Sequence, residues 1–570
     1  MQTKPVSVPP HLKLIILVEI LFPVLLLVLG VYHGLAQTLY RAGIIRSESF
    51  MGLDYYQGLT LHGVVNAVVF TTMFAVAFGQ AVVLRYIGEP NKNAAWTSFG
   101  LMMSGTALAA WAMLVGKASV LYTFYPPLKA HPIFYIGATM LVIGSWVAFF
   151  SWVPVYLRWR KQNPSEKTPM AVVGMFSTFI VWFTATVPLA VEILFLILPW
   201  SFGWVDGINV TLSRTLFWFF GHPLVYFWLL PAYTMFYVML PKLCGGKLYS
   251  DKAGRIVFMT FIFLSAPLGL HHQYSDPSIS TTWKWIHGIF TLGVALPSFL
   301  TAFTLAASLE YGARQKGGDG LFAWWFKLPY FDSQNYLFGY FFCGLLLFLV
   351  GGVTGIINSS LSMNSVVHNT SWVPGHFHTT LGGPVYLAFT GMTLFLAARL
   401  LGKKVAFARL NVAVPYLWLA GTAIFSWAMS TAGLNGQPRR TNLGLTYSNP
   451  DSPLYQPDWM WTSLFSALGG VVMFVSFAVF FVVLVGTLLA PATEEKTLDF
   501  PTSEALHDEP AGAFGNFTPW LVTSVIFLIV AYTPPLMTLS EGTFENAPRF
   551  SPSSPVAEPR PNAAPPVEPK

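Results

Sequence analysis

The stretch Trp372–Gly382, WVPGHFHTTLG, sets two histidines one residue apart at the head of a long apolar run. On a helix each residue turns about 100°, so His376 and His378 face nearly opposite ways. One membrane helix would then offer an imidazole to each of two separate neighbours. Ionisable groups inside a membrane segment are costly and face a bundle interior, so this pair marks the centre from which the rest of the chain is read.

Working outward, the chain has 570 residues, 54% of them hydrophobic and 10% charged, where ordinary soluble domains are about a quarter charged. Apolar runs long enough to cross about 30 Å of hydrocarbon fall at 12–33, 58–86, 95–116, 133–159, 169–200, 214–240, 255–272, 283–307, 334–357, 372–400, 412–434, 461–489 and 517–538. The expected fold is all-α, a polytopic transmembrane helix bundle of about thirteen spans filling residues 1–540. An odd count puts the termini on opposite sides. With the N-terminus inside, most of the 31 Lys and Arg, among them Arg158, Arg160, Lys161, Lys403 and Lys404, fall on the cytoplasmic side, the bias that sets orientation. The net charge of +7 is then explained by topology and anionic lipid, and no nucleic-acid motif accompanies it. The first run follows Lys4 and Lys13 without an early cleavage site and reads as a retained helix. Cys244 and Cys343 fall in different environments, which excludes a disulfide framework. Residues 541–570 are Pro-rich and read as a disordered tail.

Six of the 12 histidines, at four places inside these spans, are read as one set: His62, His222, His271 with His272, and His376 with His378. Spans two, six and ten enter from outside and carry their histidines near their starts, while span seven leaves toward the outside and carries its pair at its end. All six therefore share one depth, in the outer part of the membrane. A single such histidine is more often an interfacial or hydrogen-bonding residue, but six together point to metal. Neutral nitrogens suit heme iron and copper better than magnesium or calcium. A helix with His376 on one side and His378 on the other can lie between two macrocycles and ligate one from each face. His62 is the natural second ligand of one iron, and His222, His271 and His272 suffice for a copper facing the open position of the other.

The strings YYQGLTLHG (55–63), GHPLVYFWLLPAY (221–233), HHQYSDP (271–277) and WVPGHFH (372–378), with VLYTFYPPLK (120–129) and RTLFW (214–218), resemble subunit I of the heme-copper terminal oxidases, in particular the B family of cytochrome c oxidases. The resemblance covers nearly the whole chain apart from the tail. It implies the heme-copper oxidase subunit I fold and the activity of a cytochrome c oxidase, a respiratory enzyme that reduces O2 to water while taking up and pumping protons. It implies a low-spin heme, of b type, on His62 and His378, a high-spin heme, of a type, on His376, and the copper called CuB on His222, His271 and His272. It also implies a covalent link between His222 and Tyr226, whose phenol supplies an electron and a proton when the O–O bond breaks. Four residues separate the two, so they share a helix face, although spacing alone would leave Tyr226 a packing aromatic.

Tyr226, Tyr233 and Tyr237 follow at intervals of seven and four along span six, a stripe descending about 16 Å toward the cytoplasm. Ser298 and Thr301 in span eight can face it, and with Ser250 these hydroxyls resemble the B family's proton-uptake path. By spacing alone they could equally be bonding neighbouring helices. Leu224 stands where the A family has a glutamate, so that branch's second route through this position is expected to be missing. Glu19 and Glu192 lie within spans and read as hidden hydrogen-bonding groups. Arg439 and Arg440, in an outer loop, resemble the family's arginines that bind heme propionates, as guanidinium pairs with carboxylate. His368 matches a family residue near the propionates, beside Asn364 where related chains carry an aspartate.

The resemblance further implies a subunit II carrying CuA, a small accessory transmembrane subunit, cytochrome c as electron donor, and a prokaryotic plasma membrane with the N-terminus cytoplasmic and the C-terminus outside. A quinol oxidase is the nearest alternative. A nitric oxide reductase fits less well, because Tyr226 is present and Leu224 is apolar. A heme-handling transporter has no use for three histidines suited to copper.

Overall fold

The computed structural model describes residues 6–276, 279–540 and 549–550. Among the described residues, twelve helices are long and apolar enough to cross a membrane: α1 (Pro10–Arg41), α2 (Tyr55–Tyr86), α3 (Lys92–Leu114), α4 (Pro132–Gln162), α5 (Met170–Phe202), α6 (Val210–Leu243), α8 (Thr281–Gln315), α9 (Leu337–Ser359), α10 (Trp372–Leu401), α11 (Ala408–Leu434), α12 (Pro457–Leu489) and α13 (Thr518–Leu539). Each falls on an expected span. Their starts carry the caps that the sequence provides. Asp54 and Gln57 form a capping box at α2, and the Asn209 side chain accepts the amide of Leu212 at α6. Two-residue and three-residue strands close the ends of the bundle: β1 (Ile208–Asn209), β2 (Leu248–Ser250), β3 (Ala505–His507) and β4 (Arg549–Phe550).

The expected seventh span, 255–272, departs from a continuous helix. Its helix, α7, is Asp251–Leu264, 14 residues long, and the chain then runs irregularly into a 3-10 turn at Leu270–Gln273. It still climbs from the C-terminal end of α6 back to the level of His222, a rise of about 30 Å along the 222–243 half of α6. Irregular backbone at membrane depth is tolerated when it is buried in protein, and Ser265, Ala266, Leu268, Leu270 and His271 are all buried.

Two devices hold this segment. Pro223 has no N–H to give the carbonyl of Phe219 four residues back. The Tyr532 hydroxyl of α13 faces that carbonyl at 3.2 Å and also donates to the carbonyl of Ala266 in the irregular stretch. Gly269 packs against the backbone of α6 so closely that a Cβ would stand 2.6 Å from the carbonyl oxygen of Trp218. The missing side chain is what lets the residues after it reach His222.

Val6 bridges to Leu498, and β2 pairs in parallel with β3, both at the end of the bundle where α6 finishes. β4 pairs antiparallel with β1, just before α6 begins. The two ends of the described chain therefore lie about 50 Å apart, the length of α6. Of the Pro-rich stretch 541–570 only Arg549–Phe550 is described, as β4. The rest of the expected tail lies outside the described residues. Cys244 and Cys343 are both free and buried.

Gly269→Ala should lower stability by about 1–3 kcal/mol through overpacking, read as an earlier thermal unfolding transition of the purified protein in detergent.

Candidate functional site

The six histidines meet in one layer of the bundle, as two groups with His376 between them. In the first, the rings of His62 and His378 are nearly parallel, 16° apart, with centroids 6.2 Å from each other. That distance leaves room for one metal bound end-on by both rings, two bonds of about 2 Å plus half a ring at either side. Both line a cavity of about 280 Å³ among α1, α2, α10, α11 and α12. The cavity exists because α1 presents glycine to it: a Cβ on Gly34 would lie 2.6 Å from His62 Cε1. Each ring is oriented by a backbone carbonyl. His62 Nδ1 donates to Gly30 at 2.7 Å, with the Asn66 amide 3.0 Å from the same nitrogen. His378 Nδ1 donates to Pro374 at 2.7 Å, just before a π-turn at Leu381–Val385.

His376 points away from that pair, toward α9. Its Nδ1 donates to the Thr354 hydroxyl at 2.8 Å, which in turn donates to the Gly351 carbonyl at 2.9 Å. In the second group, His222, His271 and His272 bring one ring nitrogen each within 4.8 Å of the others. His271 repeats the device of His376: its Nδ1 lies 3.0 Å from the Thr291 hydroxyl, which donates to the His287 carbonyl at 2.7 Å. Tying Nδ1 in this way fixes the tautomer and leaves Nε2 as the free ligand atom. The ring of His272 stacks on Trp218 at 3.9 Å. His222 Nδ1 and His272 Nε2 stand 3.2 Å apart, a separation that two nitrogens sharing one tetrahedral metal at about 2 Å also have. His222 Nε2 is buried with no partner among the described residues. Tyr226 packs edge-on against His222, ring centroids 5.0 Å apart.

The expected line of hydroxyls is partly joined. Tyr237 donates to Thr301 at 3.2 Å. The Tyr233 hydroxyl is buried without a hydrogen bond among the described residues, with Ser298 beside it. Ser250 stands apart as the cap of α7, accepting the amide of Ala253. Thr304, also close to Tyr237, and Ser308, which accepts the amide of Tyr249 at 2.8 Å, extend the line toward Ser250 and were missed in the sequence. Leu224 is buried and apolar, as expected.

Arg439 and Arg440 both border the cavity of His62 and His378. Arg439 donates to the Asn369 side chain at 3.1 Å, and Arg440 and Arg214 lie 5.1 Å and 4.9 Å over the ring of Tyr125. Arg439 Nε and Arg440 Nη2 are buried without partners among the described residues. Burial, then the neighbouring Arg440, lowers the Arg439 guanidinium to about 9. Arg440 also has a left-handed backbone, φ 61°, a strain typical of functional sites. Two half-buried guanidinium groups, each with a buried nitrogen and no carboxylate partner among the described residues, fit an anion such as a propionate. His368 donates to Asn364 Oδ1 at 3.1 Å and keeps Nε2 buried without a partner among the described residues. Burial, aided by Arg439, holds its pKa at about 4, so it is neutral at physiological pH.

His33 and His287, both inside membrane helices, escaped the sequence grouping. Both are fully buried, and His287 Nε2 donates to the Ala531 carbonyl at 3.3 Å. Thr291 and Thr354 gave no local signal at all, because the partner of each is set by helix packing. Asn66, one turn after His62, could have been found from its spacing. Of the two buried carboxyls, Glu192 accepts a hydrogen bond from Ser213 at 2.7 Å, and Glu19 has none among the described residues.

Thr291→Val should leave His271 Nδ1 without its acceptor and weaken metal binding by the three histidines about 10-fold to 100-fold. Copper content per chain after dialysis against a graded chelator measures it.

The family model described as cytochrome c and quinol oxidase polypeptide I matches residues 14–472. A cytochrome c oxidase subunit 1 of Thermus thermophilus is 41% identical over 495 residues, covering 85% of this chain and 86% of the relative. A quinol oxidase subunit 1 of Bacillus subtilis is 24% identical over 499 residues, 82% of this chain and 70% of the relative. A heme-copper terminal oxidase solved as a dimer by cryo-EM superposes with a TM-score of 0.93 at 51% identity, covering 96% of this chain and 97% of that one. With two imidazole groups facing each other across His376 and a family model spanning most of its length, this chain belongs to subunit I of the heme-copper oxidases, the catalytic subunit that carries two hemes and CuB.

Proposed function

We propose that this chain works as subunit I of a B-family cytochrome c oxidase, reducing O2 to water with electrons from cytochrome c and coupling that reaction to proton uptake and pumping. The observation that carries the reading is the disposition of six imidazoles in one layer, four of them with Nδ1 tied so that Nε2 stays free. In this reading His62 and His378 hold the low-spin heme, of b type, and His376 holds the high-spin heme, of a type. His222, His271 and His272 hold CuB. These groups supply the electron storage and the open coordination position that four-electron reduction of O2 needs.

The residues of the chain do the positioning. Thr354 and Thr291 aim His376 and His271, Trp218 fixes the plane of His272, and Arg439, Arg440 and His368 supply the polar contacts for propionates. Tyr226 keeps a phenolic proton beside His222. Protons reach it along Ser250, Tyr237 with Thr301, and Tyr233 with Ser298. The buried Tyr233 hydroxyl is a natural station for an ordered water, which can bridge polar groups too far apart to bond directly.

A multi-pass membrane protein of this family works in a complex with other subunits, within lipid and supplied with O2. The partners proposed are a subunit II bearing CuA, a small accessory transmembrane subunit and cytochrome c. The greater identity to a cytochrome c oxidase than to a quinol oxidase favours cytochrome c as donor. The setting proposed is a prokaryotic plasma membrane with the N-terminus cytoplasmic and the C-terminus outside. Residues 1–540 form the catalytic domain and 541–570 an appended tail.

The test is metal analysis of the purified complex with reduced-minus-oxidised and CO-difference spectra. Two hemes and one copper in this chain, one heme alone binding CO, and further copper in the complex from CuA are expected. Absence of copper, or CO binding to neither heme, overturns the reading. Tyr226→Phe should keep both heme spectra and lower O2 turnover by about 10²-fold or more, the usual weight of a positioned proton donor. Thr301→Val should slow turnover and proton uptake together while leaving the spectra unchanged, measured by oxygen electrode and by pH indicator in proteoliposomes.

A further inference from the structure

A second cavity, of about 500 Å³, opens at the opposite end of the bundle from the histidines, where α6 ends, α9 begins and α10 ends. Nothing in the oxygen chemistry uses it. Its floor is apolar, with Leu243, Leu337 and Phe395, while Arg399, Lys403 and Lys404 converge on it from the last turn of α10 and the loop that follows.

Two carboxylates also border the cavity, and both are engaged. Asp499 pairs with Arg85 at 2.9 Å, and Glu494 pairs with Lys404 at 3.3 Å. Arg399 and Lys403 are left without an ion pair among the described residues. Arg399 lies 5.6 Å over the ring of Phe395, and Lys403 donates to the carbonyl of Leu488. Cations at a helix C-terminus favour its dipole, which alone accounts for Arg399. It does not account for a cavity lined by Arg399 and Lys403, both without an ion pair among the described residues, together with Lys404.

The surroundings distinguish between anions. Phe331, Phe407 and Leu410, 78%, 58% and 44% exposed, stand within two residues of the lining residues Ser333 and Ala408. Phe407 also has a left-handed backbone, φ 52°, a conformation that costs a non-glycine residue energy and persists where the surroundings impose it. A free phosphate would use the cations and leave these apolar groups bare. A phospholipid uses both, its phosphodiester in the cavity and its acyl chains along the aromatic rim. Basic pockets between transmembrane helices at a membrane surface recognise such headgroups. We infer that this cavity is a binding site for one anionic phospholipid, with Arg399 and Lys403 on its phosphodiester and Phe331 and Phe407 against its chains.

Native mass spectrometry of the purified, delipidated complex, titrated with phosphatidylglycerol, phosphatidylcholine or glycerol 3-phosphate, tests it. One phosphatidylglycerol per copy of this chain should bind to the wild type. At about fivefold per charge, Arg399→Gln with Lys403→Gln should weaken that binding by about 25-fold, while Arg409→Gln, outside the cavity, should leave it unchanged. Phosphatidylcholine binding as tightly as phosphatidylglycerol, or equal binding to the double variant, overturns the site. Equal binding of glycerol 3-phosphate overturns the lipid and leaves a simple phosphate pocket. The comparison of the three ligands on the wild type decides the matter even if the double variant fails to assemble.

Discussion

Everything at the centre of this protein depends on how a polar ring is kept inside hydrocarbon. An imidazole buried without partners loses its hydration and gains nothing. Here four of the six central histidines give their Nδ1 proton to the backbone, His62 and His378 directly to carbonyls, His376 and His271 through threonine hydroxyls. The bond that satisfies one nitrogen also decides what the other one is. Nε2 is left as a lone pair held in a fixed direction, which is what a metal requires. Stability of the bundle and readiness for metal are therefore one constraint. His222 and His272 are the exceptions, with His222 Nδ1 facing His272 Nε2 and His222 Nε2 buried on the same helix as Tyr226.

That constraint reaches into the backbone. The three histidines that face His376 cannot come from regular helices alone, since His271 and His272 must turn in toward α6. The chain meets this by ending α7 early and burying the irregular stretch after it. The same few contacts then serve two elements at once. Tyr532 compensates the carbonyl freed by Pro223 and secures the stretch around Ala266, and Gly269 allows backbone to touch backbone at Trp218. α13, most of whose surface is exposed, thus contributes to a site it does not line. The arginines follow the same logic beside the cavity of His62 and His378, where Arg439 Nε and Arg440 Nη2, buried without partners among the described residues, suit an anion.

At the other end of the bundle the balance reverses. There the carboxylates Glu494 and Asp499 are already paired, and the positive charge that remains, on Arg399 and Lys403, lines a cavity. Cations without carboxylate partners among the described residues thus border both cavities, Arg439 and Arg440 beside the histidines and Arg399 and Lys403 at the far end.

Much of this was legible in the sequence. Hydrophobic runs fix the spans because no other structure satisfies the backbone in lipid, and counting crossings placed six scattered histidines at one depth. The one-residue spacing of His376 and His378 gave opposite faces by helix geometry, and motif resemblance supplied Tyr226, the arginines and His368. What the sequence could not hold was anything fixed by packing between distant helices. Thr354 is 22 residues from His376 and Thr291 is 20 from His271, and neither spacing carries a signal. His287 and His33 fell inside expected spans without revealing whom they face. The early end of α7 hid in a run that reads as one apolar segment, because Pro and Gly are tolerated in membrane helices and hydropathy does not register the carbonyls they free. Composition and periodicity determined the bundle and the depth of its histidines. Only the tertiary structure decided which nitrogen of each ring is tied, because that depends on which helix lies alongside.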